Sequence, residues 1–124
     1  MEMSMYEQVG GQPFFGRLVD AFYDALESDE TVRLMYPDDL TDAKHHMVLF
    51  LSQYWGGPTH YMEERGHPRL RMRHAPFRIT KKARDGWLAA MNAALASVRD
   101  ELSDEQFAEM TSYFDMVAHQ LRNV

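Results

Sequence analysis

Apolar residues recur at helical spacing along most of this chain, and no stretch alternates with a period of two for long enough to make a convincing strand. Pro13 suits a first helical turn. Phe15, Leu18, Phe22 and Leu26 follow on one face, so residues about 13–27 predict an amphipathic helix, with Tyr23 on the flank shared with Val19 and Leu26. Upstream, Ser4 to Val9 can form a short helix that Gly10-Gly11 stops. Asp29 can cap a short turn through Met35, ended by Tyr36-Pro37. Thr41 can cap the next helix, with Ala43, Met47, Phe50 and Tyr54 as its inward face and Gly56-Gly57-Pro58 as its stop. From Thr59 to Pro68 the chain is polar and carries no clear period. A short helical segment then runs to His74 and should end near Ala75, because Pro76 disfavours helical geometry in the residue before it. Thr80 opens a long helix lined by Ala83, Trp87, Met91, Leu95 and Val98. Ser103 and Gln106 form a possible capping box ahead of the stripe Phe107, Met110, Phe114, Val117 and Leu121. The expected fold class is all-α with short connections.

Composition narrows the function classes. At 124 residues the expectation is one domain, 1–124, with a single core. A hydrophobic fraction of 45% is that of an ordinary globular chain. The formal charge of −6 argues against a general nucleic-acid binder, although Arg69, Arg71, Arg73 and Arg78 make a local basic run. With no cysteine, disulfides, thiolate metal sites and thiol nucleophiles are excluded. No apolar run approaches the roughly 20 residues of a membrane span, and the N-terminus does not read as a signal peptide, so the expected compartment is the cytoplasm.

Candidate chemistry gathers around His74. It sits near a helix end beside Leu70, Met72 and Phe77, which suits a metal ligand in an apolar slot. From that stretch alone the plainer reading is a surface histidine in a basic loop. Tyr23, Tyr36 and Trp87 come from three segments, and each falls on or beside an apolar face. Their donors need partners when buried: each other, the local backbone, or a polar ligand. The ten methionines, Met47, Met72 and Met91 among them, fit both an ordinary core and the surroundings of a flat cofactor. The six histidines show no H-x-x-x-H or H-E-x-x-H spacing, so a zinc hydrolase site is poorly supported. A haem needs a single histidine, because the porphyrin supplies the other nitrogens.

Several blocks carry a resemblance over essentially the whole chain: Tyr6-Glu7-Gln8-Val9-Gly10-Gly11, Phe22-Tyr23, Tyr36-Pro37, Gln53 to Pro58, Gly66 to Phe77, and Trp87. Through them the sequence resembles the group II truncated haemoglobins of the actinobacterial, haemoglobin O-like kind. The resemblance implies a globin-like, truncated two-over-two helical sandwich around haem b (iron protoporphyrin IX). It implies His74 as the proximal iron ligand and Tyr23, Tyr36 and Trp87 as distal donors to a bound gas. Ala43 matches the distal-helix position where conventional globins place histidine, and Met47 stands where a leucine is common. Phe50, Leu70 and Phe77 match haem-lining positions, and Met91 is expected with them. Arg73, with Arg71 and Arg78, is expected near the haem propionates, as are His46 and Tyr54.

The function expected from this resemblance is reversible binding of dioxygen, with nitric oxide and carbon monoxide as further ligands. The competing expectation is an enzyme, a nitric oxide dioxygenase or peroxidase. No reductase domain is visible in the sequence, so turnover would need an external reductase. A gas sensor and a cofactor-free helical binding module are the remaining classes. The sequence leaves a homodimer open.

Overall fold

Four of the helix starts are built as side-chain caps. The structure, a computed structural model, describes residues 2–124. Its helices are α1 (Met5–Gln8), α2 (Gln12–Leu26), α3 (Glu30–Arg33), α4 (Thr41–Tyr54), α5 (His60–Arg65), α6 (Leu70–His74), α7 (Lys81–Ser97) and α8 (Asp104–Leu121), with a 3-10 turn at Arg99–Glu101. Ser4, Asp29, Thr80 and Ser103 each accept from the backbone N–H three residues on, at 3.0–3.2 Å. Glu7 and Gln106 close capping boxes on α1 and α8. There is no strand among the described residues, as the missing period of two required.

The core is organised on α2. Phe14, Phe15, Leu18, Val19, Phe22 and Leu26 are fully buried. Burying each such side chain favours folding by about 1.5–3 kcal/mol. The helix packs on α7 and α4, and α7 packs on α8. Two helix pairs, α2 with α4 and α7 with α8, thus meet through α2 and α7: an all-α, globin-like two-over-two sandwich. No helix among the described residues is long and apolar enough to cross a membrane.

Two local expectations fail around α4. Thr41 is not its N-cap; Leu40 holds that place, and Asp39 Oδ1 takes the Thr41 N–H at 2.9 Å. An aspartate two residues upstream makes that bond locally, in competition with a threonine cap. The expected inward face is also displaced. Leu49, Leu51 and Ser52 are the buried residues of the helix, whereas Tyr54 is 51% exposed. The run Met47-Val48-Leu49-Phe50-Leu51 is apolar on every side, so it defines no single stripe. Contact with α2 and α5 decides which side is covered.

The chain from Thr59 to Pro68, polar and unpatterned, forms α5 and buries Tyr61 against Phe50, ring centroids 5.5 Å apart. The next helix, α6, begins from Arg69 at φ 45°, a conformation that costs a non-glycine residue about 1–2 kcal/mol. It ends at His74, with Ala75 as its C-cap, where Pro76 required it to stop.

Candidate functional site

A cavity of about 300 Å³ opens between α3, α4, α6, α7 and α8. Its wall brings together six residues singled out from sequence: Tyr36, Phe50, Leu70, His74, Phe77 and Trp87. They come from four separate stretches of the chain. Most of the remaining wall is aliphatic or aromatic.

The imidazole of His74 is fixed from behind. Its Nδ1 lies 2.6 Å from the Leu70 carbonyl oxygen, four residues back on the same helix. That carbonyl can only accept, so Nδ1 carries the proton and Nε2 is the nitrogen left with a lone pair. This is the second-shell arrangement that orients an imidazole toward a metal. The helix itself is held by polar ties. Arg73 donates to the carbonyls of Pro68 at 2.7 Å and Arg65 at 2.7 Å. Asn123 pins the segment that follows. Its side chain accepts from Ile79 N–H at 2.9 Å and donates to the Phe77 carbonyl at 2.8 Å, and its own N–H donates to the Ile79 carbonyl at 3.0 Å.

Tyr36 and Trp87 bring the donor groups of the wall. Burial raises the Tyr36 phenol above its ordinary value, and the neighbouring Trp87 indole and Tyr23 phenol partly offset that rise. Tyr23 stands behind Tyr36, edge to face with centroids 5.5 Å apart, and burial followed by the neighbouring Tyr36 raises its phenol too. Phe22 supports the group, 4.9 Å from Tyr23 and 5.3 Å from Trp87. The approach of α3 to α7 that places Tyr36 here needs Gly86: a Cβ there would collide with the Asp29 carboxylate and stand 2.9 Å from Val32 Cγ2.

Nine expected site residues, Tyr54 among them, are not on the cavity wall. Tyr23 is screened from it by Tyr36. Met91 is fully buried in the core, where it packs with α2 and α8 residues instead. Ala43 and Met47 are half-buried on α4 and belong to the packing around the core. The Arg73 guanidinium holds the turn ahead of α6 by donating through Nε and one terminal nitrogen to the backbone carbonyls described above. Arg71 and Arg78 are exposed and do not line the cavity either. His46 faces Arg65 at 3.3 Å, and burial, then Arg65, lowers its pKa.

Sequence reasoning missed Arg84, Met35, Ile79, Tyr113 and the clamp Asn123. Arg84 is the one basic residue besides His74 on the wall, and it donates to Asp85 at 3.0 Å and 3.1 Å. It stands three positions before Trp87 on α7, a spacing that puts both on one face. Tyr113 adjoins the stripe residue Phe114. Nothing in the sequence marks Asn123.

The residues present fit a haem. Among the described residues no group of three or more His, Cys, Asp or Glu side chains could hold a bare metal ion. A lone oriented imidazole suits an iron whose other ligands arrive with it. The surroundings are apolar, and Phe77, although on the wall, is 45% exposed, so a flat apolar body would cover it.

Comparison with known proteins agrees with this architecture. The family model described as bacterial-like globin matches residues 4–122. A group 2 truncated hemoglobin, YjbI of Bacillus subtilis, is 43% identical over 93 residues, 75% of this chain and 70% of that protein. The crystal structure of a hemoglobin from the thermophilic phototroph Chloroflexus aurantiacus superposes with a TM-score of 0.94 at 46% identity, covering 99% of this chain and 100% of that one. A truncated oxygen-avid haemoglobin from Bacillus subtilis superposes with a TM-score of 0.90 at 36% identity, covering 98% and 100%.

Proposed function

The chain belongs to the bacterial-like globins, and among them to the group II truncated haemoglobins, and from that premise we propose that it holds haem b on His74 and reversibly binds dioxygen beside Tyr36 and Trp87. The observation that carries the reading is the 2.6 Å contact from His74 Nδ1 to the Leu70 carbonyl, which leaves one imidazole nitrogen on the wall of an apolar cavity. When bound, the haem supplies an iron position that takes up diatomic gases. The protein supplies the rest.

Phe50, Leu70 and Phe77 provide apolar surface against a flat ring and exclude water from it. Arg84 is the guanidinium nearest to hand for a carboxylate of the cofactor, since guanidinium matches carboxylate geometry. Tyr36 and Trp87 bring an O–H and an N–H to the cavity wall, and Tyr23 packs edge to face on Tyr36 from behind. A gas that draws negative charge outward on binding, as dioxygen does, is held by such donors. Carbon monoxide draws less and gains less. A hydrogen bond to a charged acceptor is worth about 1.5–3 kcal/mol. Two or three such bonds would slow oxygen release by roughly 10²–10⁴-fold if they acted independently, and by less because they share one ligand. Slow release suits chemistry on oxygen, such as oxidation of nitric oxide with electrons from an external reductase, better than delivery.

Hemin titration tests the reading. The purified chain should develop a Soret band and, once reduced, exchange oxygen reversibly. His74→Gly should lose tight hemin retention. A variant lacking His74 that kept a normal five-coordinate ferrous spectrum would rule the assignment out.

A further inference from the structure

Charge is segregated along this chain. Residues 65–84 hold eight of its thirteen lysines and arginines and none of its nineteen aspartates and glutamates. That segment runs from the end of α5 through α6 into the first turn of α7, and it supplies Leu70, His74, Phe77, Ile79, Ala83 and Arg84 to the cavity wall. Outside it, Arg17, Arg33, Lys44 and Arg99 each pair with a carboxylate. Inside it the pattern reverses. Arg84 pairs with Asp85, Arg73 donates to backbone carbonyls and Arg65 faces His46. Arg69, Arg71, Arg78, Lys81 and Lys82 are exposed, and their side chains have no carboxylate or hydrogen-bond partner among the described residues. None of these five lines the cavity, so they are not placed for the carboxylates of a cofactor inside it. Met72 of α6, between Arg71 and Arg73, is 59% exposed. A run of like charge is ordinarily a solvated face. This one stands unneutralised in a chain with a surplus of acids, and it flanks the helix that carries His74.

We propose that the face formed by α6 and the first turn of α7 is the docking site of an acidic one-electron carrier protein, with a flavin or iron–sulfur group, that delivers electrons to the cavity across α6. The proposal rests on the haem reading above and names, by its chemistry, the external reductant of that reading. One electron leaves the carrier's reduced group, which is oxidised by one electron, and ferric iron becomes ferrous. No bond forms or breaks. A chain of net charge −6 repels an acidic partner over the rest of its surface, so the patch orients the partner as well as attracting it. Met72 inside a cationic rim matches the small contacts of transient electron carriers, below about 1,200 Å². Attraction between exposed charges reaches only about 8 Å at physiological salt. A compact acidic face fits within that reach, whereas an extended polyanion such as nucleic acid also meets the acidic remainder of the chain.

The test uses the full chain loaded with haem, the Soret band of every variant recorded first, and an acidic plant-type ferredoxin as the probe. Binding is read by calorimetry and by amide shifts of the carbon monoxide form, and reduction of the ferric form by stopped flow without oxygen. The wild type should bind with shifts centred on residues 69–82 and be reduced more slowly as salt rises. Lys81→Glu with Lys82→Glu should keep the Soret band and weaken both binding and reduction about ten-fold or more at low salt. That difference should close near 1 M salt, where screening acts within about 3 Å. Arg71→Glu, on α6 itself, should act in the same direction. Arg17→Glu with Lys44→Glu makes the same change of net charge elsewhere and should behave as wild type. Equal losses in the two double variants overturn the proposal, since net charge alone would then explain them. So does equally tight, patch-dependent binding of DNA or of anionic phosphatidylglycerol vesicles, or self-association through the patch in sedimentation. A normal Soret band with no ferredoxin binding overturns it alone. A chain that takes up no hemin overturns the haem reading and this proposal together.

Discussion

Phe14, Phe15, Leu18 and Phe22 of α2 are sealed completely, whereas α6, which lines the cavity through Leu70 and His74, contains no buried residue at all. Around α6, Met72 and Phe77 stand 59% and 45% exposed. The two regions are held together differently. The α2–α7–α8 side closes on itself by apolar burial, which is strong and has no direction. The α6 side is positioned by directed polar ties: Arg73 to the carbonyls of Arg65 and Pro68, His74 to Leu70, and Asn123 to Phe77 and Ile79. A scaffold of the first kind folds without help. A region of the second kind keeps apolar surface free for something that arrives later.

His74→Gly gives the largest expected effect on this contrast. Tight hemin retention should vanish while the melting of the apoprotein barely moves, read by Soret titration and by circular dichroism. Comparable loss of apoprotein stability would erase the distinction between the regions. Phe15→Ala is the converse. Emptying that buried site should cost about 3–5 kcal/mol in denaturant melts, with the His74 haem spectrum retained wherever the protein is folded.

Trp87→Phe works at the boundary between the regions. Loss of one donor worth about 1.5–3 kcal/mol predicts oxygen release faster by roughly 10- to 150-fold in stopped flow, with carbon monoxide changed much less. Equal effects on the two gases would mean that the indole acts as a steric gate. Asn123→Ala sharpens the picture further. It should cost only about 1 kcal/mol of global stability, yet raise hydrogen exchange selectively between His74 and Ile79. Exchange spread evenly over α2 would contradict the localised clamp.

The smallest expected effect is on pH dependence. Burial raises both the Tyr23 and Tyr36 phenols. A raised phenol is protonated in the fold at least as high as in the unfolded chain. Any stability it adds is therefore present below the ordinary value of about 10 and is lost only as pH climbs through the raised one. Oxygen release should accordingly be flat from neutrality to about pH 10. A titrating step within that range would show that another group controls the donors.

Much of this was legible in one dimension. Ser4, Asp29, Thr80 and Ser103 announce helix starts because a cap needs only its own next three residues. Pro76 ends α6 for an equally local reason. The stripes of α2 and α8 survive because each helix sets one apolar stripe against polar residues, and Tyr36, His74 and Trp87 could be singled out by residue type and by resemblance. The rest required the third dimension. A helix such as α4, apolar all round, takes its inward face from whichever helices press on it, and so Tyr54 turned outward. Arg73, expected at the cofactor, also holds the turn before α6, through carbonyls that only the folded loop puts in place. Arg84 reaches the wall, and Asn123 pins a segment more than forty residues earlier in the chain, through contacts with no sequence period. Local geometry is encoded residue by residue; which side chains share a cavity depends on where whole helices come to rest.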